Sequence, residues 1–259
     1  MSNRITDITV ILPIHELNER TEILFNNAVK SVVEQTLRPD LLIVTTPIIY
    51  DRVVELTKDV EFTTVLKNEG ESDFSSQVNL GASTIKTNWF SVLEFDDEYS
   101  SIWFKNVVKY QEAYPETEMF LPIIIDVNEQ NQFISFTNEA VWAQSFSDEL
   151  GMLDNGALLT YQNFNTDGLV IKTETFLNNG GLKKNLKVTF LYEFLLRMTF
   201  RDVKTMVIPK FGYKHMNQRE GSLFHTYSQE VNPVEANWWM AQAKKEYFFD
   251  KDREITYSV

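Results

Sequence analysis

The stretch Trp89-Phe90-Ser91-Val92-Leu93-Glu94-Phe95-Asp96-Asp97-Glu98 constrains the fold of this chain more than any other, because an apolar run ends abruptly in a knot of carboxylates. Phe90, Val92, Leu93 and Phe95 have the core-seeking, β-forming character of a buried strand, so the mutually repelling charges must lie at its end. In an open α/β sheet that edge is where ligands bind, and clustered carboxylates there suit a hard divalent cation that itself carries phosphate oxygens. A solvated acidic turn leading into a helix, whose N-terminal dipole favours negative charge, is the other reading. This stretch alone leaves both open.

The segments before the knot alternate strand and helix. Residues 8–14 and 41–46 are short, nearly unbroken apolar runs, as fully buried parallel strands are. Between them, Ile23, Leu24, Ala28, Val29, Val32 and Val33 fall at helical spacing over Thr21 to Gln35. A short helix over Asp51 to Thr57, a strand over 63–66, a polar loop over 68–73 and a helix over Ser75 to Thr84 follow. Such alternation predicts a doubly wound α/β half.

Beyond the knot the pattern predicts a helix from Ser101 to Tyr114, a strand over 119–125 and a paired strand over 132–136. Residues 138–165 read as a packed helix, with a lid or acceptor-side insert as the alternative. A strand over 168–172, a short helix from Thr173 to Asn178 and the loop Asn179-Gly180-Gly181 come next. The helix Thr189 to Phe200 carries Glu193 and Arg197 four apart, the spacing of an ordinary helix-surface ion pair. A strand over Lys204 to Pro209 leads to a polar, partly basic loop holding Tyr213, Lys214, His215, Arg219, Gly221 and Ser222. A helix from Asn232 to Phe249, rich in Trp and Phe, is expected to dock on the core or to form a dimer contact.

Composition excludes several classes of function. A net charge of −13 argues against a broad nucleic-acid or anionic-membrane surface. Any bound phosphate must therefore meet a local basic pocket or a metal. The lack of cysteine removes thiolate nucleophiles and thiolate metal sites. No stretch approaches membrane-spanning length and no signal-peptide pattern opens the chain, so a cytoplasmic protein is expected.

The order of these pieces resembles the family 2 glycosyltransferases of the GT-A fold, over roughly residues 7–222. Val10-Ile11-Leu12-Pro13-Ile14-His15-Glu16 is similar to the opening strand of that family, and Ser31 with Gln35-Thr36 to the end of its first helix. Gln77-Val78-Asn79-Leu80-Gly81 resembles the segment before its metal motif, and Leu93-Glu94-Phe95-Asp96-Asp97-Glu98 resembles that motif. Gly180-Gly181-Leu182, Tyr192 to Arg197 and Tyr213-Lys214-His215 then follow in the family's order.

The resemblance implies an α/β GT-A-type, Rossmann-like, mostly parallel sheet flanked by helices over 1–222, with a helical extension over 223–259. It implies an inverting, hexosyltransferase-like enzyme that moves a sugar from a nucleoside-diphosphate sugar to a hydroxyl acceptor, with Mn²⁺ or Mg²⁺ as cofactor. On that basis Asp97, Asp96, Glu94 and His215 are expected at the metal, and Pro13, His15, Glu16, Asp51, Asn79, Asp96 and Arg219 around the nucleotide.

One departure bears on the chemistry. An acidic pair that in this family supplies the base for the acceptor hydroxyl is replaced here by Phe190 and Leu191, which cannot accept a proton. Glu193 and Asp167 are the substitute candidates. A catalytically silent nucleotide-sugar-binding or assembly protein of the same fold is the alternative. A nucleotidyltransferase ranks below both, because no Gly-rich, basic phosphate loop follows the first strand.

Overall fold

In the computed structural model, which describes residues 6–186, 188–217, 219–220 and 222–246, the first apolar run forms β1 (Ile8–Ile14), buried at every position. Asn18 then caps α1 (Glu19–Val33), accepting from Arg20 N and Thr21 N while Thr21 Oγ1 accepts from Asn18 N. β2 (Asp40–Thr45), α2 (Tyr50–Thr57), β3 (Thr63–Lys67) and α3 (Phe74–Thr84) follow with the alternation expected, and β4 (Trp89–Val92) ends just before the acidic knot. A two-residue strand β5 (Glu98–Tyr99) and α4 (Trp103–Ala113) lead to β6 (Met119–Val127) and β7 (Phe133–Thr137). After a 3₁₀ turn at Glu139–Trp142 come α5 (Asn155–Thr160), β8 (Val170–Lys172), α6 (Thr173–Asn178), α7 (Phe190–Phe200), β9 (Thr205–Met216), α8 (Leu223–Glu230) and α9 (Pro233–Glu246).

The described strands join in one sheet in the order β3-β2-β1-β4-β8-β6-β9-β5, with β7 paired to β6. β1, β2, β3 and β4 are mutually parallel, and β6 and β9 run the same way because β8 is antiparallel to both β4 and β6. Six strands therefore present their carboxyl ends at one edge. One apolar layer packs Ile11, Phe90, Val92 and Leu121 with α3, α6 and α7, and the other packs Val10, Leu12, Phe25 and Phe120 with α1 and α4. Burial on both faces accounts for the unbroken apolar reading of the central strands.

Two sequence expectations about these elements need correction. Residues 138–165 are turns and short helices rather than one packed helix. Trp142 anchors them through Nε1 to Val207 O at 3.1 Å, and Gly151, at φ +86°, lets the chain pass the Trp142 ring. Residues 210–216 are strand rather than loop. The breakers Pro209 and Gly212 are absorbed because the β6–β9 register shifts near Ile123. A Cβ at Gly212 would collide with Trp103 and Pro122.

The C-terminal helix starts at Pro233 and docks on α7. Thr189 Oγ1 donates to Trp239 O, Ala243 is buried, and Trp238 faces outward. Residues 247–249 of that expected helix, like Gly221, lie outside the described residues.

Candidate active site

Two turns and two strands converge on the carboxyl edge. β4 hands the chain to a turn in which Leu93 N donates to Ile11 O and Asp97 N to Glu94 O, so the knot is fastened to β1. The family-like Ser31, Gln35 and Thr36 hold the far side. Ser31 Oγ accepts from Tyr99 N, Gln35 Nε2 donates to Ser100 O, and Thr36 N donates to Ser101 O. Opposite, Gly168 at φ +71° ends a turn that presents Asp167, and Asn165 supports the Asp167 carboxylate through its side-chain amide. A Cβ on Gly168 would lie 2.6 Å from the Tyr213 ring, so only glycine lets the turn approach β9.

β9 supplies the rest. Asp126 and His215 are register partners on β6 and β9, and His215 Nδ1 lies 2.9 Å from Asp126 Oδ1. Because a carboxylate only accepts, Nδ1 carries the proton and Nε2 is left to face elsewhere. Tyr213 OH accepts from Glu94 N at 3.1 Å, and Met216 N donates to Asp97 Oδ1 at 2.7 Å. Ligand atoms of Asp97, Asp167 and His215 all lie within 4.8 Å of one another.

Asp97 is 1% exposed, which overturns the reading of a solvated acidic turn. Its Oδ2 is buried with no hydrogen-bond partner among the described residues. Burial, with the neighbouring carboxylates, raises Glu94 well above the usual carboxyl range. Burial also raises Asp97 well above it, although His215 opposes the shift, and pushes Asp167 up to about 6. For His215 burial alone would favour the neutral ring, but Asp97, Asp167 and Asp126 outweigh it and hold the imidazole well above its ordinary value. Three clustered oxygen and nitrogen donors, one carboxylate oxygen unpaired, are what a divalent cation accepting carboxylate and imidazole requires.

The other expected residues are dispersed around this cluster. Asp96 Oδ2 accepts from Arg219 Nε at 2.6 Å, and the Arg219 guanidinium lies over Phe95, whose ring also meets that of His15. Pro13 is buried in β1, Glu16 is half-buried beside it in the chain, and Asp51 is exposed in the first turn of α2. Asn79 is engaged elsewhere, its amide donating to Leu182 O and accepting from Leu182 N at 2.8 Å each.

Glu193 is engaged as well. It is fully buried, paired at 2.8 Å with Arg197 and at 3.2 Å with Lys183, and Arg197 also donates to Asn179 O and Gly181 O. The pair is thus interior and ties α7 to the Gly180-Gly181 loop, rather than lying on a helix surface. Leu191 lines a narrow cavity, about 10 Å³ and roughly one water in size, with Glu94, Thr166, Asp167 and Tyr213.

Asp126 is the residue that sequence reasoning missed. Its only signal is a carboxylate ending the apolar run Ile123-Ile124-Ile125.

No family model matches this sequence, and no curated protein matches it. Solved structures do match in fold. S. aureus TarS 1-349 in complex with UDP-GlcNAc superposes with a TM-score of 0.68 at 15% identity, over 92% of this chain and 66% of that one. The same fragment in complex with UDP gives 0.62 at 12% identity, over 93% of this chain and 71% of that one. S. aureus TarS in a longer form gives 0.62 at 15% identity, over 93% of this chain but 42% of its own. The chain thus spans just under two thirds of the fragment bound to UDP-GlcNAc and under half of the longer chain. It shares the fold of these S. aureus TarS structures, an α/β sheet flanked by helices as the order of its elements leads one to expect.

Proposed function

We propose that this protein is a divalent-cation-dependent, inverting glycosyltransferase that moves a sugar from a nucleoside-diphosphate sugar to a hydroxyl acceptor. The observation that carries the reading is the Asp97–Asp167–His215 cluster with Asp97 Oδ2 buried and unpaired, set at the carboxyl edge of the parallel strands. The UDP-GlcNAc and UDP complexes of structures with this fold support a uridine diphosphate sugar as the donor to test first. Residues 1–222 form the proposed transferase unit and the helices from 223 onward its extension. No helix among the described residues is long and apolar enough to cross a membrane.

Asp97 and His215 are the groups proposed to hold the cation, with Asp96 and Glu94 adding negative charge beside it. When bound, a Mn²⁺ or Mg²⁺ ion supplies charge stabilisation to a departing diphosphate. Arg219, whose Nε is on Asp96, is proposed to offer its remaining donors to phosphate oxygens. Asp167, the member of the cluster not assigned to the cation, is the proposed base. A carboxyl titrating at about 6 is largely ionised at neutral pH yet basic enough to take a hydroxyl proton during attack on the anomeric carbon. His15, near Phe95, and Asp51, beyond β2, are proposed to contact the nucleoside.

One observation favours the silent alternative. Leu191 and its apolar neighbours narrow the cavity beside Asp167, so a binding protein without turnover fits as well.

Calorimetric titration with UDP, GDP and CDP, each with and without Mn²⁺, tests the donor site, and hydrolysis of UDP-GlcNAc then separates the two readings. Uridine diphosphate is expected to bind at least tenfold more tightly with Mn²⁺. Absence of binding by all three overturns both readings, whereas binding with no turnover of any donor leaves the silent one.

A further inference from the structure

We infer that Asp126 is a positioning residue, which holds Nδ1–H of His215 and so leaves Nε2 as the ring atom that would bind the cation; this rests on the metal site proposed above. Asp126 is buried, at the end of β6, and each of its oxygens has a defined partner. Oδ1 meets His215 Nδ1 at 2.9 Å. Oδ2 accepts from Ser135 Oγ at 2.9 Å and Thr137 Oγ1 at 2.8 Å, both on β7. The buried carboxylate is thus held by three hydrogen-bond partners, from His215, Ser135 and Thr137.

The geometry is determined by the backbone. Residues 126 and 215 are register partners on parallel strands, so their side chains leave the sheet on the same side and side by side. With Nδ1–H fixed on Asp126, rotation of the ring about its own axis is blocked, and the proton cannot sit on Nε2 of the neutral ring. Nδ1 also lies 3.9 Å from Asp167 Oδ2, and with its proton on Asp126 the only lone pair the neutral ring can offer the Asp97–Asp167–His215 cluster is that of Nε2. A carboxylate behind a metal-binding imidazole raises its basicity and orients it, and removal of such partners weakens metal binding about 10- to 100-fold.

The β6–β7 ladder shifts register at Asp126/Val127, where Ser135 and Thr137 take only the Oδ2 side of the carboxylate. No Lys or Arg among the described residues pairs with Oδ1, which is turned to His215. A carboxylate that served only the hairpin would not need to face β9.

Mn²⁺ affinity, read by electron paramagnetic resonance of free Mn²⁺, is measured for wild type, Asp126→Ala, His215→Ala and the double variant, with Asp126→Asn as the conservative replacement. Asp126→Ala is expected to weaken Mn²⁺ binding about 10- to 100-fold, and Asp126→Asn less, because its amide oxygen still accepts from Nδ1. In the His215→Ala background, Asp126→Ala is expected to have no further effect, since its action passes through the ring. Unchanged affinity in Asp126→Ala, or a full additional loss in the double variant, overturns the inference and leaves the site reading intact. Wild type that binds no Mn²⁺ overturns the site reading, and the role of Asp126 with it.

Discussion

At the scale of single residues, Asp97 carries a conflict that only a ligand resolves. One oxygen accepts from Met216 N while the other is buried without a partner among the described residues. In the free protein that oxygen costs stability, because a buried acid must either stay ionised without full pairing or hold a proton above the ordinary carboxyl range, as burial makes Asp97 do. Asp97→Asn keeps the acceptor for Met216 N and removes the charge. The variant is expected to be about 1–2 kcal/mol more stable without metal, measured by urea unfolding, and to lose metal-dependent nucleotide binding in calorimetry. A less stable variant that still binds nucleotide with Mn²⁺ would show that Asp97 is merely structural. Asp96, Asp97 and His215 are legible in the sequence because carboxylates in a row after an apolar strand, and a histidine in family order, are unusual. Asp126 is not, since one acid at a strand end is also what an ordinary exit from the core looks like.

Among the elements, α7 and β9 depart furthest from what periodicity alone conveys. The i, i+4 spacing of Glu193 and Arg197 is identical for an exposed pair and a buried one, and only the packing of α7 against the Gly180-Gly181 loop tells them apart. Gly181, at φ +61°, is required because a Cβ there would strike the Asn79 amide that clamps the same loop. Glu193→Gln is therefore expected to cost about 3 kcal/mol in stability, from leaving buried Arg197 charge uncompensated. Thermal unfolding and initial rates below the transition separate this from a catalytic role: a base would abolish transfer at unchanged stability. β9 reads in sequence as half strand and half loop because Pro209 and Gly212 are breakers in most sheets. Register shifts against β6 and the close approach of Trp103 make them compatible here. The strands β1 to β4 need no such rescue, being buried on both faces where they lie central and so apolar in their runs.

For the whole molecule, the acidic edge sets how stability responds to pH and to cations. Glu94, Asp97, Asp167 and His215 all hold protons to higher pH in the native state than in the unfolded chain, while Asp126 in the same cluster moves the other way. Native protein therefore binds more protons from about pH 4 upward, and stability falls as pH rises. Each group that binds its proton tenfold more tightly in the native state contributes about 1.4 kcal/mol to that fall. For Asp167 the loss runs from the ordinary carboxyl range to about pH 6. For His215 the loss begins at its ordinary value and continues above neutrality. The melting temperature in EDTA is expected to decline between about pH 5 and 8, and saturating Mn²⁺ to flatten the decline, because bound metal replaces the protons. A melting temperature that rises over that range would contradict the burial of the cluster.

The position of β9 in the chain has a consequence for synthesis. It is the last of the described strands, yet it lies between β6 and β5 and brings His215 and the Met216 amide to Asp97, and the Tyr213 hydroxyl to the Glu94 amide, in a turn laid down more than a hundred residues earlier. A chain emerging from a ribosome can assemble β1 to β4 from contiguous segments, but the acids after β4 lack the His215 counter-charge until that residue has been made. Those acids share one turn as soon as β4 is made, and the cluster is completed only when β9 docks between β6 and β5. The full Asp97–Asp167–His215 cluster therefore exists only in a chain synthesised at least as far as residue 215.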